Sequence, residues 1–149
     1  MSLEDDLKQT HFENAFLKAI LNILVTADRI SSATNATLKP FGLSKEQFNV
    51  LRILRGQYPN PAPLQRISER MISRSSNATR LVEKLRLKGL VERTPCLTNR
   101  RKVDIIITQK GLDLLQELDP LVKASSHSMQ RITDAEAVEL NRILEKMRS

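Results

Sequence analysis

Cysteine is nearly absent from this 149-residue sequence, and its scarcity excludes several kinds of site. The single cysteine, Cys96, cannot form an internal disulfide or a cysteine-cluster metal site. The two histidines, His11 and His127, lie far apart and have no neighbouring pattern of acidic ligands. We therefore expect no metal, no cofactor and no catalytic constellation, and the sequence does not predict an enzyme.

Long apolar runs are also missing. A membrane-spanning helix needs about 20 mostly apolar residues, and a signal peptide needs a basic start followed by an apolar stretch. Because the sequence contains neither pattern, we expect a soluble, cytoplasmic protein. At 17.0 kDa the chain has the size of one domain with a substantial core.

The net charge of +7 is concentrated in the middle of the sequence. Residues 64–110 contain twelve lysines and arginines against four acidic residues, a net charge of +8, whereas the remainder carries −1. Such a localised basic region indicates a polyanionic partner. An acidic membrane surface fits less well, because this segment lacks the tryptophan and phenylalanine residues that anchor interfacial helices.

The residues from about Thr10 to Leu38 have the apolar periodicity of one long helix. An apolar face of about seven turns is longer than a small core can cover, so we expect part of it to contact a second copy of the chain. The alternative is a helix that covers only its own core. Residues 1–9 are acidic and polar, and we expect them to be frayed.

A break at residues 40–42 separates this helix from a mostly apolar one. Ser44 and Gln47 have the spacing of a capping box, which predicts a helix start. We expect Gly56 to end this helix, and the proline-rich residues 58–63 predict a stiff connector. The apolar positions that predict a core helix are Phe48, Val50, Leu51, Ile53 and Leu54.

Two short helices, Leu64–Met71 and Arg74–Lys88, predict a helix-turn-helix motif. Ser73 or Ser75 is the expected N-cap of the second helix, and Gly89 is its expected stop. One face of that helix is apolar and predicted to be buried: Ala78, Leu81, Val82 and Leu85. The other face begins with side chains that can bond base edges or phosphates: Ser75, Ser76, Asn77, Thr79 and Arg80. The alternative is that these residues only cap and solvate the helix.

Two β-branched runs, Leu90–Thr94 and Val103–Thr108, predict a hairpin next to this motif. Ile105 and Ile107 are expected to face inward, which leaves the basic run Arg100–Lys102 at the exposed tip. Adjacent cations repel one another unless an anion is near. We therefore favour phosphate or minor-groove contact over a solvated loop.

The C-terminal third predicts two more helices. Thr108 caps the first, in which Pro120 predicts a kink or a break after Asp119. Thr133 and Glu136 form a capping box that opens the second. The expected apolar positions are Leu112, Leu115, Leu118, Leu121 and Val122 in the first and Ala137, Leu140, Ile143, Leu144 and Met147 in the second.

The order and spacing of four segments resemble the MarR (multiple-antibiotic-resistance regulator) family of transcription factors. They are LSKEQFNVLRIL at 43–54, SNATRLVEKL at 76–85, KGLV at 88–91, and Arg101 placed seven residues before Thr108. The resemblance implies a mainly α fold with a small β-hairpin wing, in which a winged helix-turn-helix region at 39–108 accompanies a helical dimerisation region at 1–38 and 109–149. It also implies a homodimer on a pseudo-palindromic double-stranded DNA site with half-sites about 10 bp apart.

The resemblance further implies roles for individual residues. Ser75, Ser76, Asn77, Thr79 and Arg80 would approach bases and phosphates. Arg101 would enter the minor groove. Arg74, Lys84, Arg100 and Lys102 would contact phosphates.

Two positions depart from the family's usual wing, where members commonly have aspartates. Here those positions are Asn99 and Cys96, so the wing lacks two counter-charges and its DNA binding should be more sensitive to salt. Some relatives sense oxidants through a cysteine, and Arg93, Arg100 and Arg101 flank Cys96, an environment that would lower the pKa of its thiol. The alternative is an unreactive wing residue, because those relatives mostly carry the cysteine on the first helix.

Members of the family usually repress genes and are released by a small, often aromatic or phenolic acid held between the dimer helices and the DNA-binding lobe. Nothing in the sequence identifies that pocket, although Phe41, Phe48 and Tyr58 offer nearby aromatic side chains. The leading hypothesis is thus a sequence-specific dimeric repressor. The competing one is a winged-helix adapter that binds protein or RNA without sequence-specific DNA readout.

Overall fold

The computed structural model describes all 149 residues, and most of them lie in helices. A single-turn 3₁₀ helix, Lys39–Phe41, follows the longest helix. The elements in chain order are α1 (Leu3–Leu7), α2 (Ala15–Leu38), α3 (Lys45–Gln57), β1 (Ala62–Pro63), α4 (Leu64–Arg70), α5 (Ala78–Leu87), β2 (Val91–Pro95), β3 (Val103–Ile107), α6 (Gln109–Ser128) and α7 (Asp134–Arg148). No helix is both long enough and apolar enough to cross a membrane.

The capping residues identified in the sequence begin three of these helices. Ser44 and Thr133 form capping boxes with Gln47 and Glu136, and the hydroxyl of Thr108 accepts a hydrogen bond from the N–H of Gly111 at 3.1 Å. Each cap satisfies N–H groups that the first helical turn leaves without a partner. The predicted starts of α3, α6 and α7 are therefore confirmed.

The hydrophobic core lies within the middle of the chain. Its 18 buried residues come mainly from α3, α4, α5, the sheet and the first half of α6. Phe48, Val50, Leu51 and Leu54 are all buried, which confirms α3 as the core helix. The long helix α2 contributes only its last residue, Leu38.

A three-stranded antiparallel sheet, with strand order β1-β3-β2, packs against this core. Ile105 and Ile107 face inward and are 3% and 2% exposed, as the alternating pattern predicts. The third strand was not predicted. Ala62 pairs with Ile105 although prolines flank it on both sides, and it can do so because proline is tolerated in an edge strand.

The N-terminal residues are not frayed, contrary to the expectation from their polarity. Ser2 and Asp5 form a capping box, and Leu3 is buried. Ion pairs from Glu4 to Lys18 and from Asp6 to Arg29 hold α1 against α2. The long helix begins at Ala15 rather than near Thr10, because Asn14 caps it with a 2.9 Å hydrogen bond from the N–H of Leu17.

The predicted end of α3 is wrong, and of the kink or break predicted at Pro120, the break does not occur. Gly56 lies inside α3, which continues to Gln57, because one interior glycine costs only about 1 kcal/mol relative to alanine. Pro120 lies inside an uninterrupted α6. An interior proline costs about 3 kcal/mol, and the adjacent fully buried Leu118 and the ion pair between Asp119 and Arg55 favour the continuous helix.

Candidate nucleic-acid interface

The predicted reading helix begins later than the sequence suggested. Its N-cap is Asn77, whose Oδ1 atom accepts a hydrogen bond from the N–H of Arg80 at 3.1 Å, and the helix starts at Ala78. Neither Ser73 nor Ser75 caps it. Their hydroxyls contact each other at 3.4 Å, and the N–H of Ser76 donates to the carbonyl of Ser73 at 3.2 Å to form a turn. Asparagine is as good an N-cap as serine. Because residues 73–76 form a turn and Asn77 supplies the cap, the helix starts at Ala78 instead of near Arg74.

This later start divides the candidate DNA-contacting residues between two elements. Arg74, Ser75 and Ser76 lie in the loop before the helix, whereas Thr79, Arg80 and Lys84 lie on α5. All of these side chains are exposed except that of Ser76, which is half-buried. The loop and the first turns of α5 therefore form one continuous polar surface.

The opposite face of α5 fixes the helix to the core. Ala78, Val82 and Leu85 are buried and Leu81 is half-buried, in agreement with the predicted apolar stripe. Gly89 has φ +73°, and the N–H groups of Gly89 and Leu90 donate to the carbonyls of Arg86 and Leu85 at 2.9 and 3.0 Å. These bonds form a Schellman motif, which requires a left-handed residue at this position. The predicted glycine stop is confirmed.

The tip of the hairpin is a second basic surface, which we call the wing: residues 96–102, between β2 and β3. Its basic residues, Arg100, Arg101 and Lys102, are all exposed. The Oδ1 atom of Asn99 accepts a hydrogen bond from the N–H of Arg101 at 3.0 Å, and the N–H of Cys96 donates to the carbonyl of Lys102 at 3.2 Å. Neutral hydrogen bonds thus shape the wing.

An ion-pair network that was not predicted links α5 to the wing strand. Glu83 accepts hydrogen bonds from Arg86 at 2.7 Å and from Arg93, on β2, at 2.6 Å. The hydrogen bond from Arg86 holds the pKa of the Glu83 carboxyl below its usual range. The spacing of Glu83 and Arg86 is readable in the sequence, but the pairing with Arg93 depends on the fold. These two arginines are thereby partly neutralised, whereas Arg74, Arg80, Lys84 and the basic residues of the wing form no ion pair.

Cys96 is half-buried at the base of the wing. The pKa of its thiol is lowered, mainly by the hydroxyl of Thr98 at 3.3 Å and by backbone N–H groups of Thr98 and Asn99. The expected direction of the pKa shift is thus correct, but its cause is hydrogen bonding within the loop and not the neighbouring arginines.

A cavity of about 410 Å³ lies between the long helices α2 and α6 on one side and α3 and the loop before α5 on the other. Of the three aromatic residues named from the sequence, Phe48 lines it and Phe41 and Tyr58 do not. The guanidinium of Arg52 lies 5.7 Å from the centre of the Phe48 ring, and the ammonium of Lys45 donates to the hydroxyl of Ser31 at 3.0 Å. The sequence did not reveal this cavity, because its walls come from distant segments.

The terminal helices present apolar side chains that the chain itself does not cover. No residue of α7 is buried. Phe16, Leu24 and Val138 are 61%, 59% and 69% exposed, and further exposed apolar residues of α2, α6 and α7 include Leu17, Ile30, Leu121, Leu140, Ile143 and Met147.

Known proteins share this arrangement. Residues 43–103 match the sequence model of the MarR family. The chain is 32% identical over 111 residues to the HTH-type transcriptional regulator MhqR of Bacillus subtilis (strain 168), an alignment that covers 74% of this chain and 75% of the relative. The crystal structure of a MarR transcription factor from Planctomyces limnophilus has a TM-score of 0.71 and 32% identity, and the match covers 91% of this chain and 98% of that one.

A third match concerns a regulator studied with a small molecule. The structure of Bordetella bronchiseptica BpsR, whose DNA binding is regulated by 6-hydroxynicotinic acid, has a TM-score of 0.77 at 24% identity, and the match covers 94% of this chain and 97% of that one. At this identity the match shows the fold alone. Together with the matches at 32% identity, the capped core helix, the helix-turn-helix and the basic wing identify this chain as a member of the MarR family of transcriptional regulators.

Proposed function

We propose that this protein is a homodimeric, sequence-specific DNA-binding repressor that a small aromatic acid releases from its operator. The observation that carries the proposal is the exposed surface formed by the loop before α5, the first turns of α5 and the wing. Short polar side chains and cations without an ion-pair partner are exposed there, and the opposite face of α5 belongs to the buried core. Such a surface suits a phosphate backbone and the edges of bases.

The proposed contacts follow from where each side chain lies. Thr79 and Arg80 lie in the first turn of α5, Asn77 is its N-cap, and Ser75 and Ser76 lie in the loop just before it. The start of a recognition helix is the part that approaches base edges. The exposed Arg101 at the wing tip is suited to a narrow minor groove. Arg74, Lys84, Arg100 and Lys102 surround these positions and are suited to phosphates.

We propose that the dimer forms through residues 1–38 and 109–149 and that residues 39–108 bind DNA. The support is the uncovered apolar surface of α2, α6 and α7. An amphipathic helix is stabilised mainly by burial of its apolar face, and α7 buries no residue within its own chain. A two-fold dimer matches a pseudo-palindromic site.

The proposed ligand site is the cavity between the long helices and the DNA-binding lobe. Phe48 supplies an aromatic wall, and Lys45 and Arg52 supply cations that can pair with a carboxylate. The DNA binding of the structurally similar Bordetella bronchiseptica BpsR is regulated by 6-hydroxynicotinic acid. These features support a small aromatic acid, for which 6-hydroxynicotinate, benzoate and 4-hydroxybenzoate are the probes to test first.

A selection of bound duplexes from a random DNA pool, repeated at two salt concentrations, tests the proposal. We expect an enriched pseudo-palindrome with half-sites about 10 bp apart and affinity that falls steeply with salt. If no sequence is enriched and binding only fades with salt, the winged-helix adapter becomes the better account.

A further inference from the structure

The loop that joins α4 to α5 presents Arg74, Ser75 and Ser76, yet it is weakly anchored to the rest of the molecule. Met71 precedes it and is buried, and Ala78 follows it and is buried. None of the residues at 72–77 has a buried side chain, and the side chain of Ile72 is 89% exposed. Hydrophobic packing therefore fixes the two ends of this loop but not its course.

A single side chain from α3 holds the start of the loop. The Oδ1 atom of Asn49 accepts a hydrogen bond from the backbone N–H of Ile72 at 2.9 Å. This bond joins residues 23 positions apart, so it connects the core helix directly to the loop. It also satisfies a backbone donor that no helix or strand uses.

The same side chain stands in the wall of the cavity. Asn49, Ile72 and Ser73 are neighbours in that wall, together with Lys45, Phe48 and Arg52. A molecule in the cavity with a hydroxyl group can donate to Oδ1 of Asn49, and one with a carboxylate can accept from the N–H of Ile72. Because the Oδ1 atom can accept two hydrogen bonds, the hydroxyl would only compete for it, whereas the carboxylate would replace it and free Ile72 from α3.

We propose that Asn49 is the positioning residue that sets the loop for DNA recognition, and the point at which an occupant of the cavity acts on that loop. The proposal rests on the DNA-binding function proposed above and specifies how its regulation reaches the reading surface. Asn49 itself touches no DNA in this account. It acts by holding the backbone from which Arg74, Ser75 and Ser76 project.

A matched pair of variants tests this role. Asn35 makes an equivalent bond, from the N–H of Lys45 to its Oδ1 atom at 3.0 Å, but it lies on α2 and outside the cavity wall. We expect Asn49→Ala to weaken binding to the selected operator about three- to tenfold, the value of one hydrogen bond. Asn35→Ala should leave operator affinity unchanged while lowering Tm similarly.

A conservative variant distinguishes loss of the hydrogen bond from a general loss of stability. Asn49→Asp keeps an acceptor and should restore operator affinity to that of Asn35→Asp, which carries the same added charge. Equal operator affinities for Asn49→Ala and Asn35→Ala would overturn the proposal, as would failure of Asn49→Asp to restore binding.

Amide hydrogen exchange of Ile72 in the DNA-free protein tests the anchor even if a variant fails to fold. We expect this amide to be protected in the wild-type protein, and exchange at the rate of an unstructured peptide would overturn the proposal. This result is independent of the DNA selection. A wild-type protein that enriches no sequence would refute the proposed function, whereas a bound operator with no effect of Asn49→Ala would refute only the role of Asn49.

Discussion

The winged-helix lobe and the terminal helices cover their apolar side chains in different ways. The lobe, from α3 to β3 with the first half of α6, encloses nearly all of the 18-residue core within one chain. Helices α2 and α7 have comparable apolar periodicity, but α2 buries only Leu38 and α7 buries nothing. The comparison shows that apolar periodicity predicts a face to be covered without telling which chain covers it.

The largest effect should come from the core of the lobe. Leu85 is fully buried on the inner face of α5, and Leu85→Ala should destabilise the protein by about 2 to 5 kcal/mol, because it removes buried methyl groups and leaves a cavity. Denaturant unfolding at several protein concentrations measures the loss. A loss below about 0.5 kcal/mol, the size typical of a surface substitution, would contradict the assignment of this face to the core.

A substitution on α7 should instead affect association. Ile143 is 42% exposed in the single chain, so Ile143→Lys should raise the dimer dissociation constant at least about tenfold, because burial of such a side chain is worth about 1.5–3 kcal/mol. Sedimentation equilibrium gives the constant. Glu145→Gln, on the polar side of the same helix, changes the charge by the same amount and should leave the dimer intact. Equal weakening by both would place the interface elsewhere.

Substitutions on the exposed face of α5 should change recognition and leave both folding and association intact. Arg80→Ala is expected to cost about 1–3 kcal/mol in operator binding and to relax the preference among related sequences, since a base contact is lost. Competition binding with mutated duplexes measures both the operator affinity and the preference among sequences. Arg101→Ala should weaken operator binding through the minor-groove contact and serves as the comparison. An unchanged ratio of specific to non-specific affinity in Arg80→Ala would contradict base readout by this residue.

The smallest effect concerns the ion pairs of Glu83. Because Arg86 lowers the pKa of this carboxyl in the folded state, the pairs add stability above the unfolded-state pKa of 4.5, and that stability is lost as pH falls through the lower folded pKa. Carboxyl chemical shifts followed by NMR between pH 6 and pH 2, a range chosen to span the carboxyl pKa values, should show that the pKa of Glu83 lies below its unfolded-state value of 4.5. Glu83→Gln should remove this acid-side dependence and barely change stability at neutral pH.

Local chemistry made much of the lobe predictable from the sequence. The capping boxes at Ser44 and Thr133 and the glycine at position 89 each satisfy hydrogen bonds within a few residues, so their spacing alone indicates a helix end. The alternation of Ile105 and Ile107 likewise indicates a strand with one buried face. These signals depend only on residues close together in the sequence, so they can be recognised without knowledge of the tertiary structure.

The misplaced elements depend on competition or on distant partners. Ser73, Ser75 and Asn77 all have N-cap chemistry, and the turn between Ser73 and Ser76 decides in favour of Asn77. The strand at Ala62 exists only because β3 lies beside it. Ion pairs with α2 hold helix α1 in place, and these pairs cannot be predicted from the sequence around α1 alone.

The candidate site divides in the same way. The basic wing and the polar start of α5 were readable, because charge and residue size are properties of the sequence itself. The cavity, the Glu83 network with Arg93 and the bond from Asn49 to Ile72 join segments far apart in the chain, and only the fold brings them together.

The stoichiometry of the complex with the selected duplex tests most directly whether a self-contained lobe reads DNA while the terminal helices supply the dimer. Sedimentation velocity of the protein with the full site and with a duplex cut to one half-site gives the mass of each complex. We predict two protomers on the full site and a much weaker complex with the half-site. One protomer bound tightly to the half-site, with no gain from the second, would contradict the account.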